Sequence, residues 1–371
     1  MQLVNTSRDS LLKPLQVVSG IVERRHTLPI LANLLFRKNG EKVSFVSTDI
    51  EIQITTNANF GVGSEDVTTT VAARKLLDIL RALPEGPVAL NLKENKMVVQ
   101  SGKSRFSLQT LSATEFPVMQ SVGEVTASWK MSQKSFRQLI SQVHFAMAQQ
   151  DIRYYLNGML LVVEGKQIIA VATDGHRLAY SQIELNEAPS GSGQKHEVII
   201  PRKTILECQH LLEESDEPLE MSLTSNQVKF SFGDIELISK LVEGKFPDYK
   251  RVIPTAHKNT FLLDRNVLQS ALQRAAILTS EKFKGVRCVI SDNLLKVNSS
   301  NKDQEEAREE IEIVYQGDPI DIGFNVTYLL DVLSNLKQDE IQLSFNDSNS
   351  SALVMIPNDD SFKYVVMPMR I

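Results

Sequence analysis

The chain carries a threefold internal repeat, and this feature restricts its fold more than any other property of the sequence. A helix-like stretch with apolar residues spaced three and four apart begins near residues 6, 131 and 263. A second such stretch begins near residues 72, 201 and 325, where Pro201 suits a first helical turn and Asn325 suits an N-cap. Because the intervals of both series agree, they favour three similar units of about 125 residues each.

Strands of alternating polarity complete each unit. Apolar and polar residues alternate after each second helix, at residues 88–92, 219–223 and 341–345, and a further alternation spans residues 50–54. The pattern predicts an α+β fold used three times, with domains at residues 1–122, 128–253 and 259–371. A mixed protein without repeats would also hold about two helices in such a length, so spacing alone leaves that alternative open.

The composition fits a large intracellular protein. A chain of 371 residues is long enough for two or three domains with sizeable cores. Its two cysteines, Cys208 and Cys288, form no CxxC pair, which argues against a disulfide scaffold or a zinc site and for a reducing compartment. The sequence begins without the apolar segment of a signal peptide and contains no run typical of a membrane span. We therefore expect a cytoplasmic protein.

Charge is distributed unevenly between the predicted helices and the rest of the chain. The six helix-like stretches hold twelve basic and five acidic residues, although the formal net charge is −5. Basic helices beside acidic strands and loops suit a protein that turns one face to a polyanion. Lysine and arginine contacts to phosphates would hold DNA without reading its sequence. The alternative is that these residues are there because they are good helix formers.

Motifs that would indicate catalysis do not occur in the sequence. There is no nucleotide-binding loop, no HExxH and no GxSxG. The acidic cluster between Glu305 and Glu310 is interrupted by Ala307 and Arg308 and lacks the glycine of a metal-binding loop. We therefore expect no catalytic residue, no metal and no cofactor, and we interpret the cluster as an interface or a solvated face.

Two short segments are unusual for surface loops. Residues 173–178 carry an Asp-Gly turn between alternating strands, and the residues from Tyr364 to the end are apolar, with two methionines and a proline. Chain ends are usually polar and frayed, whereas methionines adapt to varied apolar partners. The apolar C-terminal segment therefore predicts a binding surface, although Tyr364 to Val366 also suit a last strand of the core.

These segments resemble the bacterial sliding clamp family, the β subunits of DNA polymerase III. The resemblance runs from end to end: TLPILANLL from Thr27, SRFSL from Ser104, RYYLNGM from Arg153, ATDGHRLA from Ala172, KFPDY from Lys245, EKFKGVR from Glu281, GFNVTYLLDVL from Gly323 and YVVMPMR from Tyr364. It implies three clamp-type domains per chain and a head-to-tail homodimer whose six domains form a ring around duplex DNA. It also implies a processivity factor without catalytic activity, which slides along DNA and tethers the replicative polymerase.

The resemblance further implies a groove between the second and third domains. Short apolar peptides of the polymerase α subunit, the clamp loader, repair polymerases and other clamp-binding proteins would compete for it. We call the implied positions the groove residues; they are Tyr155, Leu156, Thr173, Gly175, His176, Arg177, Leu178, Pro247, Arg251, Val252, Tyr328, Val365, Met367, Pro368, Met369 and Arg370.

Two further sets of positions follow from the resemblance. Sequence-independent contacts to double-stranded DNA are implied for Arg25, Arg74, Gln150, Tyr154 and Lys203. The dimer contact would pair two sets, which are Lys75, Lys103, Arg105, Phe106 and Leu108 of the first domain and Ile277, Leu278, Glu305, Glu306 and Glu309 of the third.

The sequence departs from the family pattern near two of these positions. Glu23 and Arg24 stand where a family member has a glycine pair, so both Arg24 and Arg25 are candidates for the phosphate contact. Arg308 breaks the acidic run and alters the charge offered to the basic partner set. Two other functions stay open from the sequence: a peptide-binding adaptor of the same fold that does not encircle DNA, and a magnesium-dependent nuclease that uses the acidic clusters.

Overall fold

The computed structural model describes residues 1–22, 28–120, 123–191, 193–280 and 282–370. Within these residues the chain forms seven helices: α1 (Arg8–Ser19), α2 (Ala73–Ala82), α3 (Gln133–Ser141), α4 (Arg202–Leu211), α5 (Tyr249–Val252), α6 (Arg265–Ala276) and α7 (Val326–Asn335). The same residues form twenty-four strands: β1 (Gln2–Ser7), β2 (Asn33–Asn39), β3 (Lys42–Thr48), β4 (Ile52–Asn59), β5 (Val67–Ala72), β6 (Pro87–Lys93), β7 (Lys96–Ser101), β8 (Ser104–Gln109), β9 (Ala127–Ser132), β10 (Gly158–Glu164), β11 (Gln167–Thr173), β12 (Arg177–Glu184), β13 (His196–Pro201), β14 (Pro218–Leu223), β15 (Gln227–Phe232), β16 (Ile235–Lys240), β17 (Asn259–Asp264), β18 (Gly285–Ser291), β19 (Leu294–Ser300), β20 (Glu306–Glu312), β21 (Ile320–Asn325), β22 (Glu340–Phe345), β23 (Ala352–Ile356) and β24 (Asp359–Val366).

The threefold repeat is visible in how the strands connect. The groups β1–β8, β9–β16 and β17–β24 share one topology. In each group the first strand pairs with the sixth, followed by the seventh and eighth, and the fifth pairs with the second, followed by the third and fourth. The predicted α+β fold with three repeated units is therefore confirmed, and a mixed protein without repeats is excluded.

Half of one repeat continues into half of the next through a shared sheet. The strands β5-β2-β3-β4-β16-β15-β14-β9 form one eight-stranded sheet, and β13-β10-β11-β12-β24-β23-β22-β17 form the other. The junctions are antiparallel pairs, β4 with β16 and β12 with β24, in which Gln53 faces Ile238 and Leu178 faces Val365. Two four-stranded sheets, β1-β6-β7-β8 and β20-β19-β18-β21, complete the set within the described residues.

The chain divides into two compact units. The first comprises residues 1–134, 189–191 and 210–241, and the second comprises residues 135–188, 192–209 and 242–371. Each unit contains one eight-stranded and one four-stranded sheet. All sixteen groove residues lie in the second unit.

Apolar faces and capping side chains fix the helices. Leu11, Leu15 and Val18 are the buried face of α1, which packs against α2, and α6 packs against α7 in the same way. The predicted N-cap at Asn325 is confirmed, because its side chain accepts a hydrogen bond from the amide of Thr327.

Three sequence predictions need correction. Pro201 is the last residue of β13, and α4 begins one residue later. The helix predicted from Met131 ends at Ser141, and residues 144–146 form a separate 3₁₀ turn. The alternating pattern predicts a strand through Ile50, but this residue lies in the turn before β4 with a φ of +81°, because Asp49 accepts hydrogen bonds from the backbone amides that follow.

Candidate functional site

The site begins with a tight turn between β11 and β12. The hydroxyl of Thr173 donates to the carbonyl of Arg177 at 2.6 Å and accepts from the amide of Gly175 at 3.1 Å. A carboxylate oxygen of Asp174 accepts from the amides of His176 and Arg177 at 2.9 and 3.1 Å. These bonds fix the turn as the sequence predicted, and they present residues 174–176 at the end of the sheet.

The first unit contains the same turn, made of different residues. Thr48 bonds to the carbonyl of Ile52 and the amide of Ile50, and Asp49 accepts from the amides of residues 51 and 52. Ile50 takes a φ of +81°, close to the +90° of Gly175. A side chain is therefore tolerated at this backbone conformation at a cost in strain, so the turn alone does not require glycine.

The close approach of Arg153 is what favours glycine at position 175. A Cβ atom at residue 175 would lie 3.1 Å from two guanidinium nitrogens of Arg153. That guanidinium binds both carboxylate oxygens of Asp151, at 3.0 and 2.9 Å, and donates to the carbonyl of Asp174 at 3.3 Å. The hydrogen bonds from Arg153 hold the pKa of Asp151 at about 2. Residues 151–153 are thus fixed against the turn.

Below the turn lies an apolar floor. Leu156, Leu178 and Val365 are buried in one cluster with Phe246 and Tyr249. Leu178 and Val365 face each other across the junction of β12 and β24. This floor joins the second repeat to the third within one sheet.

The C-terminal segment runs from the end of β24 along the rim of this floor. The amide of Met367 donates to the carbonyl of His176, and the amide of Met369 donates to the carbonyl of Gly323, both at 2.9 Å. Met367 and Arg370 are exposed, whereas Pro368 and Met369 are half-buried. The final residue, Ile371, lies outside the described residues. Tyr364 to Val366 belong to β24, which confirms the predicted last strand.

A second rim is formed by residues 247–252. Pro247, Arg251 and Val252 are exposed, beside the buried rings of Phe246 and Tyr249. Helix α5 was not predicted, because a single turn gives too short a periodic pattern. The groove residues therefore combine a buried apolar floor with exposed rims, and Tyr155 is half-buried among them.

Arg177 is the most enclosed charge among the groove residues, with a side chain only 9% exposed. It forms ion pairs with Asp174 at 3.1 Å and Asp331 at 2.6 Å. Its guanidinium carbon lies 4.5 Å from the centre of the Tyr328 ring. Burial raises the pKa of the Tyr328 phenol. Sequence reasoning missed Asp331, although its position three residues after Tyr328 puts both on one helix face.

The residues implied for DNA contact have different surroundings. Gln150 and Tyr154 are exposed in the second unit, and Lys203 is half-buried on α4. In the first unit, Arg74 donates from two nitrogens to the carbonyl of Val22, at 3.1 and 2.6 Å. Two N–H donors of Arg74 are thus used by the carbonyl of Val22, the last described residue before the segment that contains Arg25. Arg25 itself lies outside the described residues, as does Arg24.

The residues implied for the dimer contact lie on or beside the outer strands of the two four-stranded sheets and on the helices α2 and α6 or just after them. Arg105, Phe106 and Leu108 are on β8, preceded by Lys103, and Lys75 is on α2. In the other unit, Glu306 and Glu309 are on β20, preceded by Glu305, while Ile277 and Leu278 follow α6.

Part of the acidic set is already paired within its own chain. Arg274 binds both oxygens of Glu309, at 2.9 and 2.6 Å, and these bonds lower the pKa of that carboxyl. Arg308 pairs with Glu310, and Glu305 accepts a hydrogen bond from Asn301. Of the three acidic positions, Glu305 and Glu309 thus have partners within their own chain, and Glu306 is the one for which the described bonds include no side-chain partner. Ile277 is 76% exposed at the end of α6, so its side chain is accessible to a partner surface.

The described residues contain no group of three or more histidine, cysteine, aspartate or glutamate side chains placed to hold a metal ion. Both cysteines are buried, and burial raises the pKa of the Cys288 thiol to about 12. In the described part of the chain, no helix is both long and apolar enough to cross a membrane.

Comparisons with known proteins agree over the whole chain. Three models of the DNA polymerase III beta subunit match it: the N-terminal domain at residues 1–120, the central domain at 130–248 and the C-terminal domain at 250–370. The beta sliding clamp of Pseudomonas aeruginosa is 44% identical over 365 residues, and that of Escherichia coli is 43% identical over 366, each alignment covering 98% of both chains. A solved sliding clamp from Pseudomonas aeruginosa bound to griselimycin superposes with a TM-score of 0.95 at 43% identity, over 100% of both chains.

Proposed function

The chain belongs to the family of bacterial β sliding clamps, the β subunits of DNA polymerase III, and from this membership we propose how it acts on DNA. It is a polymerase processivity factor and has no catalytic role of its own. We propose that two copies join head to tail into a closed ring of six domains around duplex DNA. The domains are residues 1–122, 128–253 and 259–371.

The observation that carries the ring proposal is the use of one eight-strand topology three times per chain. Three domains of one topology from each of two chains would supply six similar units, which suits a ring with near-sixfold symmetry. Such head-to-tail contacts are heterologous, and they form a closed ring when the rotation closes. A closed ring retains DNA topologically, so weak contacts to phosphate are sufficient.

Complementary charges support the proposed subunit contact. One surface presents Lys103 and Arg105 beside Phe106 on β8. The other presents Glu306 on β20 and the exposed Ile277 at the end of α6, the helix that packs against β20. Apolar side chains framed by opposite charges give both affinity and orientation.

Contacts to DNA would come from the basic helices and from exposed side chains such as Gln150 and Tyr154. Lysine and arginine on these helices would neutralise phosphates without reading bases. Arg74 would act mainly by fixing the carbonyl of Val22, and Arg24 or Arg25 would reach the phosphate.

The groove residues are proposed to receive short apolar peptides of the replicative polymerase α subunit, the clamp loader and repair polymerases. Support comes from the buried floor of Leu178 and Val365, the exposed rims and the adaptable side chains of Met367 and Met369. Because the Pseudomonas aeruginosa clamp was solved with griselimycin, we expect this chain to bind it as well. Because bacterial DNA is replicated in the cytoplasm, we propose that the protein acts there.

A processivity assay tests the proposed function. The matching polymerase and clamp loader extend a primed single-stranded circle, with polymerase scarce relative to template, in the presence or absence of this chain. The proposal predicts long products from each binding event only when the chain and ATP are both present. Equal product lengths with and without the chain would contradict it.

A further inference from the structure

Arg177 is positioned as a structural cation and not as a ligand for a visiting peptide. Its side chain is 9% exposed, and its three nitrogens donate to Asp174, Asp331 and the carbonyl of Phe145, at 3.1, 2.6 and 2.6 Å. Three of its five N–H groups are engaged in this way, and the burial of the side chain restricts the access of a peptide to the other two. Its central carbon lies over the ring of Tyr328, 4.5 Å from the ring centre.

The equivalent turn in the first unit shows whether the turn itself needs an arginine at this position. The equivalent turn, residues 48–52, forms the same backbone hydrogen bonds with Ile52 at the matching position. In both turns one oxygen of the aspartate accepts the two amides. The turn therefore does not require an arginine, and the second oxygen of Asp174 is free to bind Arg177.

Helix α7 is held at the other side of the guanidinium. Asp331 and Tyr328 are three residues apart, so they project from one face of the helix toward Arg177. The hydroxyl of Tyr364 donates to the carbonyl of Tyr328 at 2.9 Å, which fixes the backbone below the ring. The ring thus rests on a cation whose place is set by two carboxylates.

We propose that Asp331 is a positioning residue of the groove: through its ion pair it holds the Arg177 guanidinium under the Tyr328 ring, so that the ring stands as a fixed wall for the peptide. This inference rests on the proposed peptide-binding function. A wall fixed before binding saves the peptide the entropy of ordering that side chain. Arg177 then acts through Tyr328 and makes no direct bond to the peptide with its guanidinium.

The binding test uses a fluorescein-labelled synthetic peptide that copies the clamp-binding segment of the polymerase α subunit of the same bacterium. Asp331→Asn removes the charge but keeps the shape, and Tyr328→Leu removes the ring. Each should raise the Kd about tenfold, since a cation held against a ring and a fixed aromatic wall contribute on this scale. The double variant should bind no more weakly than Tyr328→Leu alone, because both changes remove the same wall.

Asp321→Asn is the matched control. Asp321 binds Arg287 through both oxygens in the same unit, but neither residue belongs to the groove residues. This variant should bind the peptide as the unaltered protein does. Asp49→Asn makes the same comparison for the turn of the first unit, and it should also leave the Kd unchanged.

A second readout reports the ring directly. In protein labelled with 3-fluorotyrosine, the ¹⁹F resonance of Tyr328, assigned with Tyr328→Phe, should shift and broaden in Asp331→Asn while the midpoint of unfolding of the protein is retained. If Asp331→Asn does not fold, Arg177→Met serves instead, because it leaves no buried cation unpaired. It should give the same spectral change and the same loss of affinity.

The outcomes separate the inference from the proposed function. An unchanged Tyr328 resonance in the folded variant, or a loss of affinity by Asp331→Asn that persists in full after Tyr328→Leu, overturns the positioning role. If the unaltered protein and Tyr328→Leu bind the peptide equally, the groove assignment fails, while the resonance still decides whether Asp331 fixes the ring.

Discussion

Replacing Ile277 by aspartate is expected to convert the dimeric ring into single folded chains. Ile277 is 76% exposed in the single chain, so the substitution leaves the hydrophobic core unchanged and should not alter the free energy of unfolding of a monomer. In the proposed dimer the same side chain is buried in the subunit contact.

The size of the effect follows from that burial. Burying an isoleucine side chain contributes about 1.5–3 kcal/mol, and enclosing an unpaired carboxylate adds a further penalty, so about 3 kcal/mol per contact is a low estimate. A head-to-tail ring of two chains contains this contact twice, which gives about 6 kcal/mol and raises the dimer Kd about 10⁴-fold.

Sedimentation velocity over a micromolar concentration series measures the change. The control is Ile152→Asp, which makes the same substitution at a side chain that is 95% exposed and outside the proposed contact. The control should stay dimeric. An Ile277→Asp variant that is as dimeric as the control would refute the assignment of this surface.

Three further predictions concern the groove, the DNA contact and pH. Deleting residues 367–371 should leave the chain folded, because it removes two backbone hydrogen bonds worth about 1 kcal/mol each. It should abolish binding of the polymerase peptide in fluorescence anisotropy, and undiminished binding would contradict the role of the C-terminal segment. Arg25→Ala should weaken binding to primed DNA and lower the slope of log K against log salt by about one; an unchanged slope would transfer the contact to Arg24. Burial lowers the pKa of His144 below its ordinary value of 6.5. The folded state therefore favours the neutral ring, and this contribution to stability is complete above about pH 7 and declines as the pH falls through 6.5. Urea midpoints between pH 5 and 8 should show a smaller acid loss in His144→Asn, and equal losses would contradict the linkage.

Local patterns in the sequence were sufficient to predict the repeat and much of the secondary structure. The side chain of Asn325 caps α7, and the spacing of Leu11, Leu15 and Val18 defines the buried face of α1. These features depend on residues a few positions apart, which is the range over which helix periodicity and capping act.

The pairings between repeats could not be predicted in this way. The alternation at residues 50–54 predicted a strand through Ile50, but the hydrogen bonds of Thr48 and Asp49 make that residue part of a turn. No local pattern indicates that β4 continues into β16, because the pairing joins residues separated by most of two repeats.

The same limit applies to the site. The resemblance named Arg177 and Tyr328, but the sequence gives no sign that Asp331, 154 residues away, fixes Arg177. Nor does it indicate that Arg74 engages the carbonyl of Val22 or that Arg274 pairs with Glu309. These ion pairs and hydrogen bonds depend on tertiary packing, and they decide which of the implied residues are available to a partner.

Retention on circular DNA is the most direct test of the claim that this chain closes around the duplex. The protein is loaded onto nicked plasmid with the matching clamp loader and ATP, and the complex is passed over a sizing column in high salt before and after the plasmid is linearised. A topological ring remains with the circular plasmid and is lost from the linear one, because high salt screens phosphate contacts but does not open the ring. Equal dissociation from both forms would contradict encirclement and leave a peptide-binding adaptor as the function of this fold.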